Sequence, residues 1–94
     1  MLKEKIEIDL DKVLFLPIDR VETNDEKVAI KFKNNTELIF NNAFLIENEL
    51  EENKADKILC IELYKTENSI EAHLLVKAEE QLCYFTIKTD SIII

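Results

Sequence analysis

The stretch that decides the fold is KILCIELYKTENSIEAHLLVKAEEQLCYFTIKT, residues 57–89. It contains three runs in which apolar residues recur at every second position, the pattern of β-strands whose successive side chains point to opposite faces of a sheet. Short polar segments at 67–68 and 79–80 separate the runs, and Asn68 suits a turn position with positive φ. The stretch therefore predicts three consecutive antiparallel strands.

The register of these strands follows from their apolar faces. The partners predicted across the first turn are Leu63 with Ala72, Ile61 with Leu74, and Leu59 with Val76. Those predicted across the second turn are Val76 with Cys83, Leu74 with Phe85, Ala72 with Ile87, and Glu71 with Lys88. A slip of one residue would move the whole apolar set to the other face, so agreement among three strands supports this register.

Length and composition limit the possible functions. The chain has 94 residues, which predicts a single domain spanning 1–94. Glycine is absent, so the glycine-rich phosphate loops of P-loop and dinucleotide-binding proteins and the nucleophile elbow of hydrolases are excluded. The net charge of −8 argues against direct binding to nucleic acid or to anionic membranes. It suits a protein partner with a basic surface, although solubility alone is the plainer explanation.

No signal peptide and no apolar run long enough to span a membrane is visible, so a cytoplasmic location is expected. The predicted register places Cys60 on the outer face and Cys83 on the inner face, which should prevent a disulfide. Reduced thiols agree with a cytoplasmic setting, and neither cysteine has the spacing of a metal or redox motif.

The pattern of strands and loops is less regular in the N-terminal half. Residues 5–10 alternate as a half-buried strand, 13–18 predict either an edge strand or a strand that stops at Pro17, and 19–26 predict a loop. Residues 27–33 and 37–40 predict a hairpin. A two-residue turn at 34–35 would place Phe32 opposite Glu37, whereas a three-residue loop through Thr36 places Phe32 opposite Leu38 and Ile30 opposite Phe40. The hydrophobic pattern favours the longer loop.

Residues 41–56 fit either a short helix, at about 43–52, or a strand. A strand is favoured. A turn at 53–56 would then allow this strand to pair antiparallel with the first strand of 57–89, with Leu50 opposite Leu59 and Ile46 opposite Leu63. Acidic residues are concentrated here and predict the surface that would contact a basic partner; they are Glu47, Glu49, Glu51, Glu52 and Asp56.

His73 is the one histidine, and the register places it opposite Glu62, with Tyr64 and Tyr84 on the same outer face. A histidine and a carboxylate are the minimum for acid–base chemistry. However, no serine lies beside His73 and no second imidazole is present for zinc, so a polar pair on a sheet surface is the plainer interpretation. No catalytic, metal-binding or cofactor-binding residue is assigned, and no cofactor is expected.

One end of this outer face is unusually apolar, with Ile58, Cys60, Leu75 and Tyr84 together. Cover by the chain's own N-terminal strands is favoured over cover by another chain. The tail, Ile92 to Ile94, is expected either to close the sheet as a last strand or to contact a second copy in a homo-oligomer.

The fold predicted is all-β, an antiparallel meander of six to seven strands forming a small barrel or sandwich, with at most one short helix. The favoured function is a non-enzymatic acidic protein-binding module, such as a small bacterial or phage inhibitor, immunity or counter-defence protein. The alternative is a small β-barrel that binds, or acts on, a small molecule in a pocket near His73 and Glu62.

Overall fold

The described residues form nine β-strands in two antiparallel sheets. The computed structural model describes residues 4–6, 10–48 and 55–94, with the backbone alone for 4–6 and 44–48. In chain order the strands are β1 (Glu4–Ile6), β2 (Ile18–Thr23), β3 (Lys27–Phe32), β4 (Glu37–Asn41), β5 (Phe44–Asn48), β6 (Lys57–Lys65), β7 (Ile70–Ala78), β8 (Gln81–Thr89) and β9 (Ser91–Ile93). A 3₁₀ turn at Asp11–Val13 precedes β2.

The larger sheet has the strand order β1, β6, β7, β8, β5, and the smaller sheet has the order β2, β3, β4, β9. One hydrophobic cluster joins their inner faces, with Leu74, Val76 and Ile87 from the larger sheet and Ile30 and Phe40 from the smaller one. The all-β prediction is confirmed, and of its two forms the structure is the sandwich rather than the closed barrel. None of the described segments is a helix long and apolar enough to cross a bilayer.

The register predicted between β7 and β8 is confirmed at every position. Ala72 faces Ile87, Leu74 faces Phe85, Val76 faces Cys83, and Glu71 faces Lys88. The two-residue turn places Glu79 in the left-handed region, at φ 56°. This position is uncommon for a residue with a Cβ, and the chain has no glycine to use there. The apolar inner faces fixed the register despite the unfavourable turn residue.

The register between β6 and β7 is as predicted from Lys65 to Cys60 but wrong from Leu59 to Lys57. A β-bulge lies between Ile58 and Cys60, so Val76 faces Ile58 instead of Leu59. Ile58 is fully buried in the core and not on the outer face, whereas Leu59 is only partly buried. The extra residue reverses the facing of the strand at this point, a change that strict alternation cannot anticipate.

The β3–β4 hairpin differs from both predicted registers. Ile30 faces Leu38 and Val28 faces Phe40, two residues away from the favoured pairing. A slip of two leaves the same side chains on the inner face, so the hydrophobic pattern could not tell these registers apart. Turn chemistry decides between them, because a three-residue loop at 33–35 gives the left-handed position to Asn35, at φ 70°.

Residues 44–48 form strand β5, which excludes a helix there; the rest of the stretch 49–52 lies outside the described residues. The predicted pairing with β6 is wrong, since β5 pairs with β8 and the outer neighbour of β6 is β1. Asn42, at φ 46°, turns the chain from the smaller sheet to the edge of the larger one. Local periodicity predicts a strand but carries no information on its partner.

Two of the N-terminal predictions are also corrected. Residues 13–17 form no strand, because Phe15 adopts a left-handed conformation, at φ 65°, and Pro17 offers no N–H; Ile18 begins β2. The predicted loop at 19–26 is instead largely β2, an edge strand whose charged side chains face solvent. The strand predicted at 5–10 is seen at Glu4–Ile6, and residues 7–9 lie outside the described part of the chain.

The C-terminal tail closes the smaller sheet as β9, the first of the two predicted alternatives. Ile92 packs against the core, while Ile93 and Ile94 are exposed. Contact with a second copy through this tail stays a prediction.

The two sheets are joined at a corner where β4 continues into β5 and β8 continues into β9. Thr89 lies at this corner and is 1% exposed. Its hydroxyl is placed to donate to the carbonyl of Asn41, at 2.6 Å, and to that of Ser91, at 2.9 Å. Asn42 Nδ2 donates to Asp90 Oδ2 at 3.1 Å across the same corner. Strands that change sheet at such bends are one way in which sandwiches are closed.

Thr89→Val is therefore expected to lower the free energy of unfolding by about 1–3 kcal/mol, because valine keeps the shape but removes the buried donor. Urea unfolding followed by circular dichroism measures the loss. Thr23→Val is the matched control, since Thr23 is exposed in β2 and its change should stay within about 0.5 kcal/mol. Equal effects of the two substitutions would show that the corner bonds add nothing.

Candidate binding groove on the outer face of the larger sheet

An open groove of about 460 Å³ lies on the outer face of β6, β7 and β8. The side chains that line it alternate with the buried residues of the same strands, which is why they share one face. They are Cys60, Glu62, Tyr64, His73, Leu75 and Tyr84. The four residues predicted from the sequence as a pocket or pair, Glu62, His73, Tyr64 and Tyr84, are thus brought together.

The apolar end of this face is smaller than predicted, because Ile58 lies in the core and not on the outer face. The described segments do not cover what remains of it. Cys60 is exposed, Tyr84 is 53% exposed, and Leu75 is partly buried between its strand neighbours. Strands β2 to β4 pack on the inner face of the larger sheet instead. The favoured prediction, cover by N-terminal strands, is therefore not what the described residues show.

The polar end of the groove is organised by hydrogen bonds. His73 and Glu62 face each other across β6 and β7 as predicted. However, His73 Nε2 donates to Glu71 Oε1 at 2.9 Å, and Glu62 accepts a hydrogen bond from the hydroxyl of Tyr64. The rings of Tyr64 and His73 meet edge to face, with centroids 5.2 Å apart and planes at 87°. The predicted His73–Glu62 pair is thus replaced by two separate pairs that share one aromatic contact.

The hydrogen bond to Glu62 raises the pKa of Tyr64 above its ordinary value, and the negative charge of Glu62 adds to this effect. Both causes favour the neutral phenol, since the phenolate could neither donate to the carboxylate nor sit beside it without repulsion. Tyr64 therefore remains a hydrogen-bond donor at neutral pH.

Glu62→Ala is expected to lower the pKa of Tyr64 towards 10.0, the ordinary value for tyrosine. Tyrosinate absorbance followed against pH in a Tyr84→Phe background measures Tyr64 alone. A raised folded-state pKa stabilises the fold below the unfolded pKa, and that stability is lost as pH rises through the folded pKa. Wild type should therefore lose stability in the alkaline range more steeply than Glu62→Ala; identical titrations would contradict the pairing.

The acidic residues predicted to contact a basic partner are not gathered into one described surface. Glu47 lies in β5, where only the backbone is described, and Glu49, Glu51 and Glu52 lie outside the described residues. Asp56 is described, and its Oδ2 accepts a hydrogen bond from the backbone N–H of Glu79 at 2.8 Å. That carboxylate therefore supports the β7–β8 turn.

Cys60 brings a thiol into the groove. Both thiols are free, but Cys60 is exposed and Cys83 is buried. Native protein is expected to react with a thiol reagent at Cys60 roughly 100-fold faster than at Cys83, because Cys83 must wait for local opening. Peptide mass spectrometry over a labelling time course measures both rates. In Cys60→Ser, only the slow reaction of Cys83 should remain, and denaturant should accelerate it; similar native rates at the two positions would contradict the assigned faces.

The groove offers two phenols, an imidazole, a carboxylate and a thiol on one face of the sheet, and the carboxylate of Glu71 is hydrogen-bonded to its imidazole. In the described part of the chain, no group of three or more His, Cys, Asp or Glu residues is placed to hold a metal ion. The arrangement is suited to recognising a cationic or hydrogen-bonding group against aromatic rings. Comparisons with family models, with curated proteins and with solved structures give no match for this chain, so the groove is interpreted from its own chemistry.

Proposed function

We propose that this protein is a non-enzymatic binding module whose outer-face groove docks on a partner protein and receives a lysine or arginine side chain of that partner. The observation that carries the proposal is the exposed groove itself, in which Tyr84 is 53% exposed beside a Tyr64 and a His73 already fixed in position. An uncovered aromatic surface on a rigid sheet is the kind of feature that marks an interaction site.

The composition of the groove supports protein recognition. Tyrosine is enriched in binding hot spots because it combines a large apolar ring with a polar hydroxyl. Tyr64 is held by Glu62 and by its edge-to-face contact with His73, so little side-chain freedom remains to be lost on binding. Leu82, also exposed, extends the apolar surface along β8 towards the β7–β8 turn.

Charge selects the partner's chemistry. Glu62 and Glu71 place two carboxylates beside the rings of Tyr64 and His73, so a cation there would gain both ionic and cation–π interactions. The net charge of −8 would steer a basic surface towards the protein and make association sensitive to salt.

Affinity capture with matched variants tests the proposal. Tyr84→Ser removes the groove's exposed ring, whereas Ile93→Ser changes a residue of similar exposure, 52%, on the other sheet. A basic partner should be retained by wild type and by Ile93→Ser, should elute with salt, and should bind Tyr84→Ser at least about tenfold more weakly. Equal retention by Tyr84→Ser and wild type would rule out the groove as the docking site.

Charge reversal at Glu49, Glu51 and Glu52 separates the groove from the acidic stretch. If the stretch supplies the contact, the triple reversal weakens the complex and Tyr84→Ser does not. If the groove supplies the contact, Tyr84→Ser weakens the complex and the triple reversal does not. The acidic stretch belongs to the proposed binding surface only when both variants weaken the same complex.

The second candidate function is binding of a small molecule in the same groove, and the observation that favours it is the volume of about 460 Å³. Ligand sites commonly lie in the range of roughly 300–1,000 Å³. A ligand bound there should shift the NMR signals of Tyr64 and His73 in saturable fashion and leave those of the smaller sheet unchanged. Capture of a basic protein that competes for the same signals would favour the first candidate.

A further inference from the structure

A second concave site lies at the end of the larger sheet where β6 begins and β7 ends. It is a cleft of about 330 Å³ that shares no lining residue with the groove. Its walls come from the segment before β2, the β3–β4 loop, and the adjoining ends of β6 and β7. They consist of Phe15, Pro17, Ile18, Lys33, Asp56, Lys57 and Lys77.

The cleft is rich in positive charge, whereas the protein as a whole has a net negative charge. Three of its seven lining residues are lysines, in a chain with 20 acidic and 12 basic residues. Within the described residues, none of these lysines has a carboxylate partner within ion-pair distance. Among the described lining residues Asp56 is the one acid, and one of its oxygens already accepts a hydrogen bond from the N–H of Glu79. The cleft therefore keeps an excess of positive charge.

Two of the lysines are also in an unfavourable position for stability. Lys57 and Lys77 face each other directly in the β6–β7 register, and both are partly buried. Like charges directly opposite on neighbouring strands destabilise a sheet. An arrangement that breaks this local rule with no structural compensation is expected at a binding site, where an anion would supply the missing charge.

Phe15 gives the cleft an aromatic wall. It is 62% exposed and lies in the left-handed region, at φ 65°, which is rare for a bulky side chain. The conformation is held from both sides: Phe15 N–H donates to Ile58 O at 2.9 Å, and Ile18 N–H donates to Asp56 O at 2.8 Å. Lys33 N–H donates to Pro17 O at 3.0 Å and fixes the loop opposite. The ring is thus presented to solvent by a tightly bonded backbone.

We propose that this cleft binds a small organic phosphate, with the phosphate held by Lys33, Lys57 and Lys77 and the organic group packed against Phe15 and Pro17. Ammonium groups bind phosphate oxygens as point charges, and a flat ring stacks on an exposed aromatic side chain. A nucleoside monophosphate has both parts and serves as the probe. The phosphate site shares no lining residue with the outer-face groove, and it requires no protein partner.

Calorimetric or NMR titration with adenosine monophosphate, inorganic phosphate and adenosine tests the assignment. Adenosine monophosphate should bind most tightly, and its affinity should fall as salt is raised. The double variant Lys57→Gln/Lys77→Gln should bind it at least about tenfold more weakly, while Lys12→Gln/Lys27→Gln, which removes the same charge from exposed positions elsewhere, should bind like wild type. Phe15→Ala should weaken adenosine monophosphate about fivefold or more and leave inorganic phosphate unchanged.

Thermal unfolding provides a second readout that does not depend on ligand detection. Without ligand, Lys57→Gln/Lys77→Gln should melt at or above the wild-type temperature, because a repulsion is removed. With adenosine monophosphate in excess, only wild type and the control variant should gain stability. Failure of the probe to bind at millimolar concentration, equal affinity of inorganic phosphate and adenosine monophosphate, or equal binding by the lysine variant and its control would each overturn the proposal.

Discussion

Phe40→Ala is expected to lower the free energy of unfolding by about 3–5 kcal/mol, because it removes a large side chain from the centre of the sandwich and leaves a cavity. Phe40 is fully buried in β4, where it faces Val28 on β3 and Ile92 on β9. A domain of this size is stable by only about 5–15 kcal/mol, so the variant should lose a large share of its stability.

The matched control is Phe15→Ala, since it removes the same atoms from a ring that is 62% exposed. Its effect on unfolding should stay within about 1 kcal/mol, because little apolar surface is returned to water. Urea unfolding of both variants, followed by tyrosine fluorescence and circular dichroism, gives the comparison. Similar losses for the two phenylalanines would mean that Phe40 does not belong to the core.

Much of the larger sheet could be predicted from the sequence because one face of β7 is wholly apolar and the other is mixed. That contrast fixed the β7–β8 pairs, from Ala72 with Ile87 to Val76 with Cys83. It also placed Cys60 outside and Cys83 inside, and it brought the groove residues to one face. A period of two is a strong signal wherever burial differs between the faces of a strand.

Alternation of apolar residues leaves three features of a sheet undetermined. It cannot distinguish registers that differ by two residues, so the predicted β3–β4 pairs are two residues away from the observed ones, which the left-handed Asn35 in the turn fixes. It does not name a strand's partner, so β5 was predicted beside β6 and lies beside β8. It also assumes unbroken alternation, which the bulge at Ile58 breaks.

The sites show a similar division. The facing of the strands predicted which residues line the groove, but it did not predict their hydrogen-bond partners. His73 is hydrogen-bonded to Glu71 on its own strand and not to Glu62, which lies opposite it. The lysine cleft was not predicted, because its walls come from four segments distant in sequence. Its Lys57–Lys77 pair is itself a product of the bulge, since an unbroken register would have set Lys57 against Ala78.

Ile58→Ala and Leu59→Ala test that bulge directly. With unbroken alternation Leu59 would be the core residue and Ile58 the exposed one; in the structure Ile58 is 0% exposed and Leu59 is only partly buried. Ile58→Ala is therefore expected to cost about 2–5 kcal/mol, and Leu59→Ala less than about 1.5 kcal/mol. Urea unfolding of the pair measures both losses on one strand. A larger loss for Leu59→Ala than for Ile58→Ala would indicate that the register is unbroken. In an unbroken register Lys57 would not face Lys77, so the like-charge pair on which the phosphate site depends would be absent.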